Sequence, residues 1–478
     1  MIELIFSLYL LLIIFVGIFS NRFIANKLDF LLAGRKLGPW VTAFSERASG
    51  ESAWLLLGLP GAAIAIGYGE IWAVLGITIG IISSWFLVAE KLRDETEKYN
   101  AVTIPDYLEK RFNDNGSIKL ISAGIITLFF SFYVSAQFHG AGKILEQIFG
   151  IDPIYGITLS AIIIIIYTLL GGLLAVAWTD LIQGILMIGT LVILPVLGFF
   201  YLFESGNSLE NVLFASSDPI KNSIFSSSDS FSSMILLALG GMSWGLGYFG
   251  QPHLLIRYMA IKSVKDVKIA KWVATFWAIP GIMGAFLIGI VGLAYFGEDY
   301  FIGKDPETVM PLLASTLLPS WLAGLLISGA VAAMMSTADS QLLVSSSTIS
   351  EDLGLNRLFK KRSTEIDLLI NTRLITTILG LIAYGMAIYS QITGNSIFGI
   401  VSFAWSGLGS SFGPAIILSL WWARTSTKGI IAGLLSGSIS TIIWGSSPFL
   451  KSIVTERLSS FVIAFFAIVI FSYLYKDE

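Results

Sequence analysis

The feature that most constrains this chain is a repetition. Apolar runs of about 20 residues or more follow one another from Ile2 almost to the last residue, with short polar stretches between them. A run of that length matches the hydrocarbon core of a bilayer. Of 478 residues, 55% are hydrophobic and 13% charged, the latter about half the share usual in a soluble protein. No water-soluble fold of this size could bury so much apolar surface. The pattern predicts an all-α polytopic membrane protein with about 13 transmembrane helices, near 2–20, 40–66, 70–91, 118–147, 153–170, 173–203, 232–260, 268–296, 319–349, 369–391, 396–422, 427–446 and 457–475.

The polar stretches near 205–231 and 298–318 read as connecting loops, so residues 1–478 are expected to form a single transmembrane domain. The first run carries Glu3, has no basic residue before it and ends without a small-residue cleavage site. It reads as a retained helix, not a signal peptide. Lysine and arginine gather in alternate loops: Arg22, Lys27, Arg35 and Lys36, then Lys91 to Lys119, Arg257 to Lys271, Arg357 to Arg373, and finally Arg424, Lys428 and Lys476. That bias places the N-terminus outside and the C-terminus in the cytoplasm, in a multi-pass protein of the cell inner membrane.

A net charge of −3 gives no basic face for nucleic acid. The chain has no cysteine and two histidines, His139 and His253. It therefore lacks the residues for a thiolate or multi-histidine metal centre, or for a cysteine nucleophile, and an enzyme is not expected. A transporter-like sensor would usually carry a signalling domain, and none is visible before Glu478.

Two spans look broken. The second contains Arg47-Ala48-Ser49-Gly50-Glu51-Ser52, and the seventh contains Gly240 to Tyr248 followed by Gly250-Gln251-Pro252. Interrupted helices at matching places in two halves point to a transport site: freed carbonyls can hold a cation, and helix N-termini a carboxylate. The alternative is that Gly and Ser merely allow tight helix packing. The breaks lie five spans apart, and an odd separation inverts one half relative to the other.

At these residues the chain resembles the sodium/solute symporter family, nearest its proline-transporting members. The resemblance runs from about Phe30 to Lys476. It is carried by FLLAGRKLGPWVTAFS (30–45), SAWLLLGLPGA (52–62), GGLLAVAWTDLIQ (171–183), WGLGYFGQPHLLIRYMA (244–260), MSTADSQLLVSSSTISEDL (335–353) and AWSGLGSSFGP (404–414). It implies a five-plus-five inverted-repeat core of the leucine-transporter type over about 40–422. One extra helix (1–20) precedes the core, and two (about 427–475) follow it. It also implies sodium-coupled symport of a small organic solute, L-proline first. Another amino acid or small carboxylate, coupled to sodium or protons, is the alternative. The bilayer is the expected surrounding, and the oligomeric state is left open.

The resemblance implies a sodium site between the second and ninth spans: the carbonyls of Ala48, Glu51 and Ala333 and the hydroxyls of Ser336 and Thr337. Such hard oxygen ligands hold sodium weakly enough to release it. Intramembrane Ser and Thr also commonly bond back to the i−4 carbonyl. Asp180, Asp339 and Ser340, with Ser336, would form a second sodium or proton site. Alternatively, Asp180 caps a helix and faces cytoplasmic water. The implied solute site is lined by Ser52, Trp54, Tyr133, Trp244, Tyr248 and Pro252.

The chain departs from the proline-transporting members at Gly50, where they carry an aspartate important for sodium, and it adds Glu46, Arg47 and Glu51. Three readings follow: Glu51 replaces the missing carboxylate, Glu46 and Arg47 form a gating ion pair, or the ion or solute differs. Gln137, His139 and Lys143 could mark one wet face of the fourth span, although a lone intramembrane histidine is more often hydrogen-bonded packing.

Overall fold

The computed structural model describes residues 1–20, 27–170, 172–225, 230–352 and 365–475. Arg22, Arg357, Lys360, Lys361, Arg362 and Lys476, which enter the charge-bias argument, lie outside those residues.

The described chain is helical almost throughout, as expected where a backbone in lipid must satisfy its own N–H and C=O groups. The α-helices of eight residues or more among the described residues, numbered here in chain order, are α1 (Ile2–Ser20), α2 (Pro39–Gly50), α3 (Leu59–Ile66), α4 (Ile71–Ser84), α5 (Glu90–Lys98), α6 (Ile104–Phe112), α7 (Ser117–Phe149), α8 (Pro153–Leu170), α9 (Leu173–Glu204), α10 (Phe231–Met242), α11 (Pro252–Ala260), α12 (Val264–Phe296), α13 (Val309–Leu317), α14 (Ser320–Asp352), α15 (Glu365–Thr393), α16 (Ile397–Trp421), α17 (Thr427–Ser446) and α18 (Glu456–Leu474). Side-chain caps mark where several of them begin. The hydroxyls of Thr103, Ser263, Ser396 and Ser426 accept from the N–H three residues on, at the starts of α6, α12, α16 and α17.

Among the described residues, ten helical stretches are long and apolar enough to cross a membrane, and Ile2–Val16 and Pro153–Leu169 are shorter apolar helices. The stretch Trp54–Lys98 runs the later half of the broken second span together with the whole third.

The bundle has an inner and an outer ring. In α14 and α16, 83% of the most apolar part of the helix is buried, against 28% in α18. The two broken segments face these inner helices. Glycine permits the closest approach. Any Cβ on Gly80 of α4 would collide with the backbone of Gly245, and one on Gly409 of α16 would stand 2.6 Å from the Gly247 Cα.

Candidate functional site

The first break follows α2. Glu51 leaves helical geometry (φ −102°, ψ 87°) while its N–H still bonds to the Arg47 carbonyl. The break therefore falls one residue later than Ser49-Gly50, and the chain resumes in a wide π-helical turn, Trp54–Gly58. The interruption frees three carbonyls, each of which receives a side-chain donor. Ser336 Oγ donates to Ala48 O at 2.8 Å, Thr337 Oγ1 to Ser49 O at 3.0 Å, and Trp54 Nε1 to Gly50 O at 3.1 Å. On the far side, the Ala53 N–H donates to Gln137 Oε1 at 3.0 Å. Buried backbone left unpaired here would cost on the order of 1–3 kcal/mol per group, so α14 and α7 hold the break open by replacing the missing helical bonds.

Ala48, Ala333, Ser336 and Thr337 are thus brought together: Ser336 Oγ also lies 3.1 Å from Ala333 O. The Ser49 carbonyl joins them, an oxygen the sequence reading omitted. The Glu51 side chain turns elsewhere.

Next to this oxygen cluster lies a charged one. Asp180 is fully buried within α9, which rules out a cap facing cytoplasmic water. Its Oδ2 accepts from Ser45 Oγ at 2.6 Å, Ser49 Oγ at 3.1 Å and Arg257 Nη2 at 3.1 Å. Arg257 also reaches Ser49 Oγ at 2.8 Å, Ser340 Oγ at 2.5 Å and Ser45 Oγ at 3.1 Å. Asp339 accepts from Ser340 Oγ at 3.2 Å, and among the described residues its Oδ2 is buried without a partner, as is Asp180 Oδ1. Asp180, Asp339 and Ser340 do converge. Arg257, read from sequence as a loop residue, is instead a wholly buried part of α11. Its guanidinium occupies the centre of that cluster.

The three added charges form one buried unit. Arg47 pairs with Glu46, and its Nη1 lies 2.7 Å from Glu51 Oε1. Trp85 Nε1 donates to Glu46 Oε2 at 2.9 Å and the Tyr248 hydroxyl to Glu51 Oε1 at 3.2 Å. All three side chains are inaccessible to solvent, so Glu46 and Arg47 do not form an isolated pair.

Between the breaks stands a box of aromatic rings. Trp54 stacks on Trp244 with centroids 5.9 Å apart, Tyr248 meets Trp405 edge-on at 4.7 Å, and Tyr133 lies 6.3 Å from Trp405. Phe398 covers Trp244 at 4.8 Å. Ser52 Oγ lies 3.5 Å from the Tyr133 hydroxyl, and Pro252 opens α11 immediately after the second break. Trp405, at the centre, is the residue the sequence reading missed. Its Nε1 donates to the Trp244 carbonyl at 3.0 Å, and its own carbonyl accepts from Gln251 Nε2 at 3.1 Å. Its presence in the AWSGLGSSFGP block was the available signal.

The three polar residues of the fourth span do not share a face of work. Gln137 braces the first break, His139 Nε2 bonds Gln391 Oε1 at 2.8 Å, and Lys143 Nζ lies 2.6 Å from Glu307 Oε2. His139 is hydrogen-bonded packing.

A model of the sodium:solute symporter family matches residues 30–437. The chain belongs to the sodium:solute symporter family. It is therefore a transporter and not an enzyme: a multi-span protein of the inner membrane that carries a small solute with sodium. Among curated relatives, the high-affinity proline transporter PutP of Bacillus subtilis is 39% identical over 94% of each chain. The sodium/proline symporter of Escherichia coli is 37% identical over 98% of this chain and 92% of its own. Among solved structures, a sodium-coupled sialic acid symporter in a substrate-bound, outward-open state superposes with a TM-score of 0.80 at 20% identity, over 99% of this chain and 98% of its own. MhsT in complex with L-phenylalanine gives 0.55 at 16% identity, over 91% and 97%. These likenesses establish the leucine-transporter-type fold of this symporter.

Proposed function

We propose that this symporter takes up L-proline together with sodium by alternating access. The observation that carries the reading is the junction of two features at one place. A set of freed carbonyls and hydroxyls between α2 and α14 adjoins a closed aromatic box between the two breaks, in a chain closely similar to proline transporters. Sodium enters as the Ser336 and Thr337 hydroxyls rotate their protons away from Ala48 O and Ser49 O and turn lone pairs toward the ion. Its ligands are the carbonyls of Ala48, Ser49, Glu51 and Ala333 with the hydroxyls of Ser336 and Thr337. Binding from outside fixes the broken α2 against α14 and so organises Ser52, Trp54, Tyr133, Trp244, Tyr248 and Pro252 for the solute. Rocking of the core then releases both inside.

The proposed organisation is thirteen spans in one domain, 1–478: a leading helix at 1–20, a repeat core over about 40–422 and two following helices over about 427–475. The N-terminus is outside and the C-terminus in the cytoplasm. Asp180, Asp339 and Ser340 form a second cation site for sodium or a proton, because Arg257 balances only one of its two carboxylates.

The test is uptake of radiolabelled proline into proteoliposomes under an imposed sodium gradient. Accumulation that follows the gradient supports the reading. Uptake indifferent to sodium overturns the coupling, and failure of proline to compete with another solute overturns the substrate.

A further inference from the structure

Glu51 carries an oxygen that sodium-coupled uptake, as described, leaves unused. The side chain is wholly buried. Oε1 is engaged by Arg47 Nη1 at 2.7 Å and by the Tyr248 hydroxyl at 3.2 Å, whereas Oε2 has no partner among the described residues. The carboxylate is held on the solute side of the break. Its two hydrogen bonds go to Arg47 and to a wall of the aromatic box, while the ion ligands are joined through α14. Glu46, Arg47 and Glu51 together leave one net negative charge away from water, which is costly unless a cation or strong donor offsets it.

We propose that Glu51 Oε2 receives the protonated amine of the solute, so that this site selects amino acids over simple carboxylates of the same shape. The inference rests on the reading of the solute as a small amino acid. A secondary ammonium such as that of proline has two N–H donors, one of which satisfies Oε2. Arg47, anchored by Glu46, holds the carboxylate in position. The other orphan carboxylate oxygens, on Asp180 and Asp339, belong to the Arg257 cluster, whose hydrogen-bond partners include no member of the box.

The full-length chain in proteoliposomes is tested with L-proline and with tetrahydrofuran-2-carboxylate, which keeps the ring and carboxylate but has oxygen for the amine. Both are read as inhibition of labelled uptake and as ligand-induced thermal shift. The unaltered protein should prefer proline by 100-fold or more, on the order expected when a site is built around a donor that the analogue lacks. Glu51→Gln should weaken proline by roughly 10- to 100-fold, leave the analogue within about threefold, and leave the half-saturating sodium concentration unchanged when it is measured at saturating proline. Glu51→Asp, which keeps the charge, should retain most of the discrimination and guards against a Gln variant that does not fold. A Gln variant with unaltered discrimination overturns the proposal, as does one whose main change is in sodium dependence. If the unaltered protein takes another amino acid instead of proline, the proline reading fails, and the same comparison is made with that amino acid and its desamino analogue. Uptake of carboxylates lacking an amine, with equal or greater affinity, overturns the inference itself.

Discussion

The residues that decide this site are few, buried and charged, and their partners were only partly visible in the chain. Arg47 and Glu51 could be paired from their i,i+4 spacing alone, and the structure keeps that pair because α2 runs through Gly50 before it breaks. Arg257 and Trp405 could not be placed that way. Arg257 bonds Asp180 and Trp405 bonds Trp244 across long sequence separations, and a basic residue before a polar stretch looks like a loop residue until the fold buries it. The Arg47 unit makes a specific prediction. Arg47→Met leaves two buried carboxylates facing each other, and breaking a buried pair costs about 3–5 kcal/mol. The variant should lose most of its thermal stability in detergent. Arg47→Lys should recover only part, because an ammonium cannot serve both carboxylates as a guanidinium fork does. Equal stability of Lys and Met variants would mean that the charge is not what holds the unit together. A second test concerns Trp405→Ala. Removing a fully buried indole costs about 3–5 kcal/mol, and substrate affinity should fall along with stability. Trp405→Phe keeps the ring but removes the bond to the Trp244 carbonyl, so it should spare packing more than transport.

At the scale of elements, the outer loops act as ties between helices. Glu307 accepts from the N–H groups of Ile397 and Phe398 at 3.1 and 3.0 Å, capping the start of α16, and also binds Lys143 of α7 at 2.6 Å. Because Phe398 lies over Trp244, that cap sits at the lid of the aromatic box. Glu307→Ala should speed hydrogen exchange at residues 397–400 and raise the concentration of solute needed for half-maximal uptake; unchanged exchange would mean that the cap is not the tie. The sequence reading expected loops over 205–231 and 298–318 but not this cross-connection, because the carboxylate and the helix it caps lie far apart in the chain. A second tie is pH-sensitive. Lys221 and Ser217 hydrogen-bond the Glu298 carboxylate and hold its pKa down at about 2. A depressed carboxyl contributes stability above its ordinary value near 4.5, and that contribution drains away as pH falls toward about 2. Local opening of residues 216–222 should therefore increase over that window. Glu298→Gln should be loose at neutral pH and flat across the acid range. A loop equally protected at both ends of the window would refute the tie.

For the whole molecule, hydropathy and the matched breaks made the architecture legible, while the charge balance inside the bundle became readable only when the helices were assembled. Among the described residues Asp180 and Arg257 neutralise each other, and Asp339, with a buried oxygen lacking a partner there, leaves one negative charge over. Desolvating that charge is too costly for it to persist through a transport cycle uncompensated, so a second cation should enter with the solute. Each cation adds about 2.3 kcal/mol of driving force per 100 mV. Asp339→Asn removes the surplus charge. The variant should still bind solute, since the hydrogen bond of Asp339 among the described residues goes to Ser340 and not to the aromatic box. Its charge moved per solute should fall by one, and its accumulation ratio at a fixed membrane potential should fall accordingly. By reciprocity, sodium and solute should still raise each other's affinity by one common factor through the α2–α14 site. Comparing the two isolates the second cation. If charge per solute stays constant in Asp339→Asn while the sodium–solute coupling factor drops, Asp339 serves the first ion site and the surplus-charge argument fails. If the coupling factor holds and one charge is lost, the carboxylate beside Arg257 carries a cation of its own.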